Sequence, residues 1–306
     1  MMNISVKIGN VTFKNPVTVA SGTFGHAEKY YNLEEVKKLG AIIPKTVTFK
    51  EQKGNPPPRI IETPAGMLNA IGIENPGPDG FIAQKLPFLK KIGVPLMISI
   101  LGHTDEEFLA LAEKFNSAAA GNNICALELN LSCPNLKQEI LVAQDPQATF
   151  RLVSAVKKNS KLPIIAKLSP NVTDISVIAK AAEDAGADAV SLINTFTAMA
   201  IDVHKRKSIL GNFTGGLSGP AIRPIAVYMV YQVAQKVKIP ILAMGGIASA
   251  DDALQFILAG ATMVAVGTMN FVNPRAPLEV LHGIEQYMRK NKIGDIKEII
   301  GNLKKD

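Results

Sequence analysis

The sequence has few of the residues from which metal centres, disulfide frameworks and membrane spans are built. Its 306 residues include two cysteines, four histidines and no tryptophan. The two cysteines lack metal-ligand spacing, which argues against structural zinc and disulfides and predicts a reducing compartment, the cytoplasm. No apolar run approaches the roughly 18 residues that a membrane helix needs, and the N-terminal residues lack the apolar segment of a signal peptide.

The charge of the chain is positive but spread out. The formal net charge is +7, and the lysines are scattered apart from a short C-terminal cluster. No arginine-rich or aromatic-interleaved stripe is present, so we expect no nucleic-acid partner. Apolar residues make up 47% and charged residues 19% of the chain, which is typical of a folded protein with a full core. Attraction of a small anionic ligand would explain the positive excess.

Short apolar strands alternate with helical segments along the chain. The predicted strands cover residues 17–21, 41–45, 95–101, 125–131, 163–168, 188–193, 240–244 and 263–266. Such alternation predicts a parallel sheet with right-handed crossovers. Eight units favour a closed (β/α)8 TIM barrel over an open Rossmann sheet, and no Gly-x-Gly-x-x-Gly follows the first strand. We predict one α/β domain over residues 1–306, with irregular excursions at 54–78 and 194–219 packed over the C-terminal face.

Polar residues stand where these strands end. In a barrel, strand ends converge at one mouth whatever their separation in sequence. The residues expected there are Ser21, Lys45, Thr46, Ser99, Asn130, Cys133, Lys167, Asn194, Thr195, Gly245, Gly246, Gly267 and Thr268.

The pairs Gly245-Gly246 and Gly267-Thr268, which follow the last two strands, predict a phosphate site. Barrels frequently hold a phosphate between the loops after strands seven and eight, and glycine lets the backbone approach the phosphate oxygens. Simple turn chemistry is the alternative. Lys45 and Lys167 each close an apolar strand, and two lysines in one mouth favour an anionic ligand. A Schiff-base lysine, as in a lyase, is the competing use, and a non-catalytic sensor of a phosphate ligand is a third.

Cys133 lies among amides that can bind a planar ring. Four asparagines of the candidate loops can each donate and accept hydrogen bonds, as an imide or carboxylate requires: Asn69, Asn130, Asn135 and Asn194. A thiol of ordinary pKa, about 8.5, can act as a base on a moderately acidic proton. The electrons left behind need an acceptor, and in a chain without a metal-binding pattern a cofactor with a phosphate tail, FMN, fits. Cys125 is predicted to be a core residue.

Several segments together resemble one enzyme family. NLSCPN at residues 130–135 resembles the signature of class 1 dihydroorotate dehydrogenases, FMN-dependent barrel enzymes of pyrimidine synthesis. GMLNAIGI at 66–73 is similar to the family's substrate loop, and KLSPN at 167–171, GGLSGPA at 215–221 and GGI at 245–247 are similarly placed. The resemblance extends over nearly the whole chain.

This resemblance implies a role for each matching residue. Cys133 would remove a proton from C5 of dihydroorotate while hydride passes from C6 to the flavin, and Lys167 would lie near the N1–O2 edge of that flavin. The residues implied to hold FMN are Ser21, Lys45, Thr46, Ser99, Asn130, Lys167, Ile193, Gly219, Gly245, Gly246, Gly267 and Thr268. Those implied to hold the substrate are Lys45, Asn69, Ala70, Ile71, Gly72, Ile73, Asn130, Asn194 and Thr195.

The loop patterns at residues 69–73 and 214–221 look most like the NAD-linked B subclass. That subclass implies a separate partner subunit with FAD and a [2Fe–2S] cluster, and a homodimer within a heterotetramer. The fumarate-linked A subclass, or a related dihydropyrimidine dehydrogenase, is the alternative. Two positions depart from the family: Ser99 replaces a common asparagine, and residues 136–144 lack the lid's usual glycines. We therefore expect a stiffer or differently folded lid.

Overall fold

The computed structural model describes residues 2–25, 32–132 and 142–304. Eight parallel strands form its central sheet, and their residues are mostly apolar and almost entirely buried. The strands are β1 (Val17–Val19), β2 (Val47–Thr48), β3 (Leu96–Leu101), β4 (Ile124–Asn130), β5 (Ile164–Lys167), β6 (Ala189–Leu192), β7 (Ile241–Met244) and β8 (Met263–Val266). Burial on both faces is what their continuous apolar runs predict for a parallel sheet covered by helices.

The strands follow one another around a barrel. The order is β1-β8-β7-β6-β5-β4-β3-β2, so every neighbour is consecutive in the chain except β1 and β8. The seam between β1 and β2 is joined just before β2, where Gly40 N donates to Val17 O at 2.9 Å and Thr18 Oγ1 donates to Ala41 O at 2.9 Å. The predicted (β/α)8 barrel is confirmed.

The second strand lies later in the chain than predicted. We expected residues 41–45, but the structure has only a bridge from Ile42 to Leu96 there and places β2 at Val47–Thr48. Pro44 has no N–H to donate, which interrupts the ladder between the two pairings. Lys45 therefore precedes β2 instead of closing a strand.

One helix follows each strand and covers the barrel. The helices are α1 (Leu33–Val36), α2 (Leu86–Ile92), α3 (Asp105–Ala118), α4 (Pro146–Asn159), α5 (Ile175–Asp184), α6 (Arg223–Ala234), α7 (Ala250–Ala259) and α8 (Ala276–Lys290). Further short helical segments lie at Gly77–Gly80, Phe81–Lys85, Val142–Gln144, Pro220–Ile222, Met269–Val272 and Ile296–Glu298. None of the helices among the described residues has the length and apolar character needed to cross a membrane.

Polar caps begin several of these helices, because the first N–H groups of a helix have no partner within it. Asn32 Oδ1 accepts from Glu34 N at 3.0 Å at the start of α1. At the start of α3, Thr104 Oγ1 accepts from Glu107 N at 3.2 Å, and Glu107 Oε2 accepts from His103 N at 2.7 Å.

The two excursions form a second sheet, which the sequence analysis missed. We expected irregular loops at 54–78 and 194–219. The structure instead pairs parts of both in an antiparallel sheet whose strand order is Phe196–Ala198, Gly215–Ser218, Gly66–Asn69 and Ile60–Thr63. Further short hairpins join Ile201–Asp202 to Lys207–Ser208 and Val6–Ile8 to Val11–Phe13. The segment similar to the family's substrate loop, residues 66–73, therefore begins in this sheet, at the strand Gly66–Asn69.

Candidate active site

Two lysines share the barrel mouth. Lys167 is the last residue of β5, and it pairs with Asn130 of β4 on one side and Ser191 of β6 on the other. Lys45 is partly buried, and a β-carbon placed on Gly22 would come within 3.3 Å of its Nζ. Burial, followed by the charge of Lys167, lowers the pKa of Lys45 to about 8, and Glu74 offsets part of that shift. The mouth therefore favours a ligand that brings negative charge.

A chain of three hydroxyls lines the mouth beside Lys45. Ser21 Oγ lies 2.7 Å from Thr46 Oγ1, which in turn lies 3.0 Å from Ser99 Oγ. Ser99 is fully buried and Thr46 nearly so. Ser99 thus holds Thr46 in place from below, and contact between Ser99 and a cofactor stays a prediction.

The predicted phosphate residues come together from three loops. A β-carbon on Gly246 would lie 2.7 Å from Gly219 O, which shows how closely the loop after β7 approaches the start of α6. Gly219 and Gly246 have φ of 93° and 80°, a conformation that favours glycine. Thr268 Oγ1, after β8, donates to Ser218 Oγ at 2.8 Å. Bare backbone and hydroxyls at this point fit a phosphate group, because a glycine has no β-carbon of its own beside its N–H group.

An ion pair joins α6 to α7 beside Gly219 and Gly246, which together form a glycine cradle. Arg223, the first residue of α6, pairs with the buried Asp252 of α7. The other oxygen of Asp252 accepts from Ala248 N and Ser249 N, each at 2.9 Å. Because these contacts fix both helix starts, they fix the glycine loop that lies between them. Sequence reasoning assigned no role to Arg223, Asp252 or Ser218, although Ser218 lies inside the GGLSGPA segment.

The amides expected around a planar substrate are linked to one another. Asn194 Nδ2 donates to Ser132 Oγ at 2.9 Å, and Ser132 Oγ donates to Asn130 Oδ1 at 3.1 Å. Thr195 lies against Gly216, and its carbonyl accepts from Asn171 Nδ2 at 3.2 Å. The structure thus brings Asn130, Asn194 and Thr195 to the same side of the mouth.

The predicted substrate loop reaches this group through the second sheet. Asn69 pairs with Gly216, and its Nδ2 donates to Gly216 O at 3.3 Å. Beyond it, Gly72 and Ile73 both have positive φ, 75° and 52°. Ala70 is buried, and Ile71 O accepts from Asn55 N at 3.0 Å.

Three further residues that the resemblance assigns to FMN, Ile193, Gly245 and Gly267, directly follow β6, β7 and β8. Ile193, joined to Leu192 by a cis peptide bond, is buried, and its N–H donates to Met244 O at 3.0 Å. A β-carbon on Gly245 would come within 3.3 Å of Ile193 Cγ1, so the ends of β6 and β7 touch. Gly267 lies beside Ala20 at the end of β1.

The structure describes one of the two cysteines, Cys125. Cys133 and Asn135, together with most of the expected lid, fall within residues 133–141 and lie outside the described residues. Cys125, in β4, is partly buried against the core and its Sγ donates to Leu96 O at 3.3 Å. Burial raises its pKa to about 12, so this thiol is a packing group, as predicted.

Comparison with known proteins points to one family. The family model described as dihydroorotate dehydrogenase matches residues 3–288. A relative from Lachnoclostridium phytofermentans, named dihydroorotate dehydrogenase B (NAD(+)), catalytic subunit, is 52% identical over 304 residues, covering 99% of this chain and 100% of its own. Proteins of the same name from Geotalea uraniireducens and Thermoanaerobacter pseudethanolicus are each 50% identical, over 98% and 100% of this chain and 98% and 100% of their own.

Proposed function

Since the chain belongs to the dihydroorotate dehydrogenase family, we propose that it oxidises dihydroorotate to orotate in pyrimidine biosynthesis. The observation that carries this proposal is the full-length match, at about half identity, to relatives that bear this name. Two features of the barrel mouth support it. The paired lysines suit an anionic substrate ring, and the glycine cradle suits the phosphate of a cofactor. We further propose that residues 1–306 form one FMN-binding unit.

FMN would bind across the mouth of the barrel. Gly219, Gly245, Gly246, Gly267 and Thr268 would hold its phosphate. Ser21, Lys45, Thr46, Ser99, Asn130, Lys167 and Ile193 would hold the remainder. When bound, FMN supplies the acceptor for the hydride of the substrate. The lysines contribute positive charge where the bound group gains electrons.

The substrate would lie among the linked amides. Asn130 and Asn194 are held by Ser132, so their donors and acceptors are already fixed before a ligand arrives. Asn69 to Ile73 and Thr195 would complete the contacts, and Lys45 would bind the carboxylate. Cys133, which follows Ser132 directly, would take the proton from C5 of dihydroorotate.

Lys45 gives this proposal a pH dependence. Its pKa of about 8, against an ordinary 10.5, means that the side chain is charged below pH 8 and loses its proton above it. We expect the affinity of the FMN-loaded chain for orotate to fall as the pH rises through the pKa of Lys45, because the neutral amine no longer attracts the carboxylate. Calorimetric titration of orotate into the protein at several pH values measures this affinity.

Two variants check that Lys45 is the group responsible. Lys50→Met removes an exposed neighbouring lysine and is expected to keep the pH dependence. Lys45→Met is expected to bind orotate weakly and with little change between pH 7 and 10. An unchanged affinity of the native chain across that range would show that Lys45 does not bind the carboxylate.

The name of the relatives, catalytic subunit, implies a separate partner subunit. We propose that this partner carries FAD and a [2Fe–2S] cluster, passes electrons to NAD+, and binds a homodimer of this chain to form a heterotetramer. The location in the cytoplasm stays a prediction from the cysteine content.

The electron acceptor separates the B subclass from the fumarate-linked A subclass. We expect the purified chain alone to turn over poorly with dihydroorotate and fumarate, and turnover with NAD+ to appear when the partner subunit is added. Orotate formation measured by absorbance reports both reactions. High fumarate turnover by the chain alone would assign it to the A subclass instead.

A further inference from the structure

A buried carboxylate lies beneath the barrel mouth. Glu128 is in β4, two residues before Asn130, and its relative exposure is 0%. One of its oxygens, Oε2, accepts from Ser191 Oγ at 3.0 Å. The other, Oε1, has no hydrogen-bond partner among the described residues. A carboxylate in this position needs compensation, because removing a charged group from water costs several kcal/mol.

The nearest opposite charge is Lys167. Its Nζ lies 3.9 Å from Glu128 Oε1, and the lysine side chain is only 6% exposed. This distance is too long for a hydrogen bond but short enough for a strong charge interaction in a buried site. Among the described residues Lys167 Nζ makes no hydrogen bond, so its donors stay available to a ligand at the mouth.

Strand pairing explains why these groups meet. Lys167 pairs with Asn130 of β4 on one side and with Ser191 of β6 on the other. Glu128 is one inward-facing position below Asn130, so it reaches under Lys167 and across to Ser191. The lysine therefore has a negative charge below it and the open mouth above it.

We propose that Glu128 is a positioning residue, a buried counter-charge that limits the positive field that Lys167 exerts on the group bound at the mouth. This inference rests on the proposed function in one respect, namely that the bound group is FMN. Reduction adds negative charge to FMN, so the field at Lys167 sets how favourable reduction is. Glu128 thereby keeps the reduction potential lower than Lys167 alone would make it.

The first test measures the reduction potential of the FMN-loaded chain. Glu128→Gln keeps the size of the side chain and an acceptor for Ser191, but removes the charge. We expect a more positive potential, with the two-electron equilibrium changed about tenfold, or about 30 mV. Ser191→Ala is the matched control, because it removes the hydrogen bond and keeps the charge, and we expect no comparable shift.

A purely structural role would lower the melting temperature of Glu128→Gln and leave the potential unchanged. If Glu128 only oriented Lys167, its loss would release the lysine and make the potential more negative. Either result overturns the counter-charge proposal.

The second test does not depend on FMN chemistry. Lys167→Met leaves Glu128 buried without its partner, so we expect the melting temperature of the full chain to fall by about 5 °C or more. Adding Glu128→Gln to Lys167→Met should restore most of that loss, because the unpaired charge is gone. Additive losses in the double variant would overturn the pairing. If the native chain does not bind FMN, the proposed function is contradicted. The comparison of melting temperatures among these variants still tests the pairing of Glu128 with Lys167.

Discussion

Cys133→Ala is expected to leave FMN bound and to slow its reduction by dihydroorotate about 10²- to 10⁴-fold, the usual contribution of a positioned base. The amides, the lysines and the glycine cradle are untouched by this change, so ligand binding should persist. Only the group that accepts the C5 proton is lost, and the loss should appear in the rate of reduction and not in substrate affinity. Rapid anaerobic mixing, with flavin absorbance as the signal, measures that rate.

Cys125→Ala is the matched control for this variant. Cys125 lies near the start of β4, at the opposite end of the strand from the mouth, and its thiol contacts Leu96 O. We expect native reduction kinetics and at most a small loss of stability, because a partly buried thiol is replaced by a methyl group. Reduction of Cys133→Ala at the native rate would exclude Cys133 as the base.

Gly246→Ala is expected to weaken FMN binding by at least about 100-fold, equivalent to about 3 kcal/mol. The added β-carbon would lie 2.7 Å from Gly219 O and 2.8 Å from Arg223 Cβ, so the loop after β7 has to move. A φ of 80° adds strain for any residue with a β-carbon. We expect a folded but largely colourless protein, measured by flavin content after purification and by titration with FMN.

Gly294→Ala serves as the control for adding a methyl group to a loop. Gly294 lies just before the Ile296–Glu298 turn, and its β-carbon would meet only Glu298 Oε1 at 3.4 Å. Full flavin content is expected in this variant. A full complement of FMN in Gly246→Ala would show that the cradle does not hold the cofactor.

The barrel was predictable because most of its strands are recognisable from the local sequence alone. A run of four or more buried apolar residues bounded by turns, such as Met263–Val266, indicates a parallel strand without knowledge of its neighbours. The prediction was wrong at β2, where Pro44 divides the apolar run and moves the assigned strand to Val47–Thr48. The apolar run therefore indicated that a strand lies near β2. It did not show which residues pair with β3, because Pro44 interrupts that pairing.

The second sheet could not be read from the sequence because its pairings are long-range. Gly215–Ser218 contains two glycines and suggests a turn, yet it pairs with Gly66–Asn69, about 150 residues earlier in the chain. Only the fold brings these segments together, and this glycine-containing strand is paired on both sides, with Phe196–Ala198 and Gly66–Asn69.

The candidate site was predictable for residues at strand ends and less so for those that support them. Lys167 and the glycine pairs follow apolar strands, a position that indicates function in a barrel. Glu128 lies inside a strand that otherwise looks like core, and its role depends on Lys167 and Ser191 from two other strands. Arg223 and Asp252 are ordinary helix-start residues until the structure shows that they meet.

The most direct measurement mixes the FMN-loaded chain with an equal amount of dihydroorotate, without oxygen or any other acceptor. We expect the yellow absorbance of oxidised flavin to disappear and orotate to form in proportion to the flavin lost. A flavin that stays yellow, with no orotate produced, would contradict the proposal that this chain oxidises dihydroorotate.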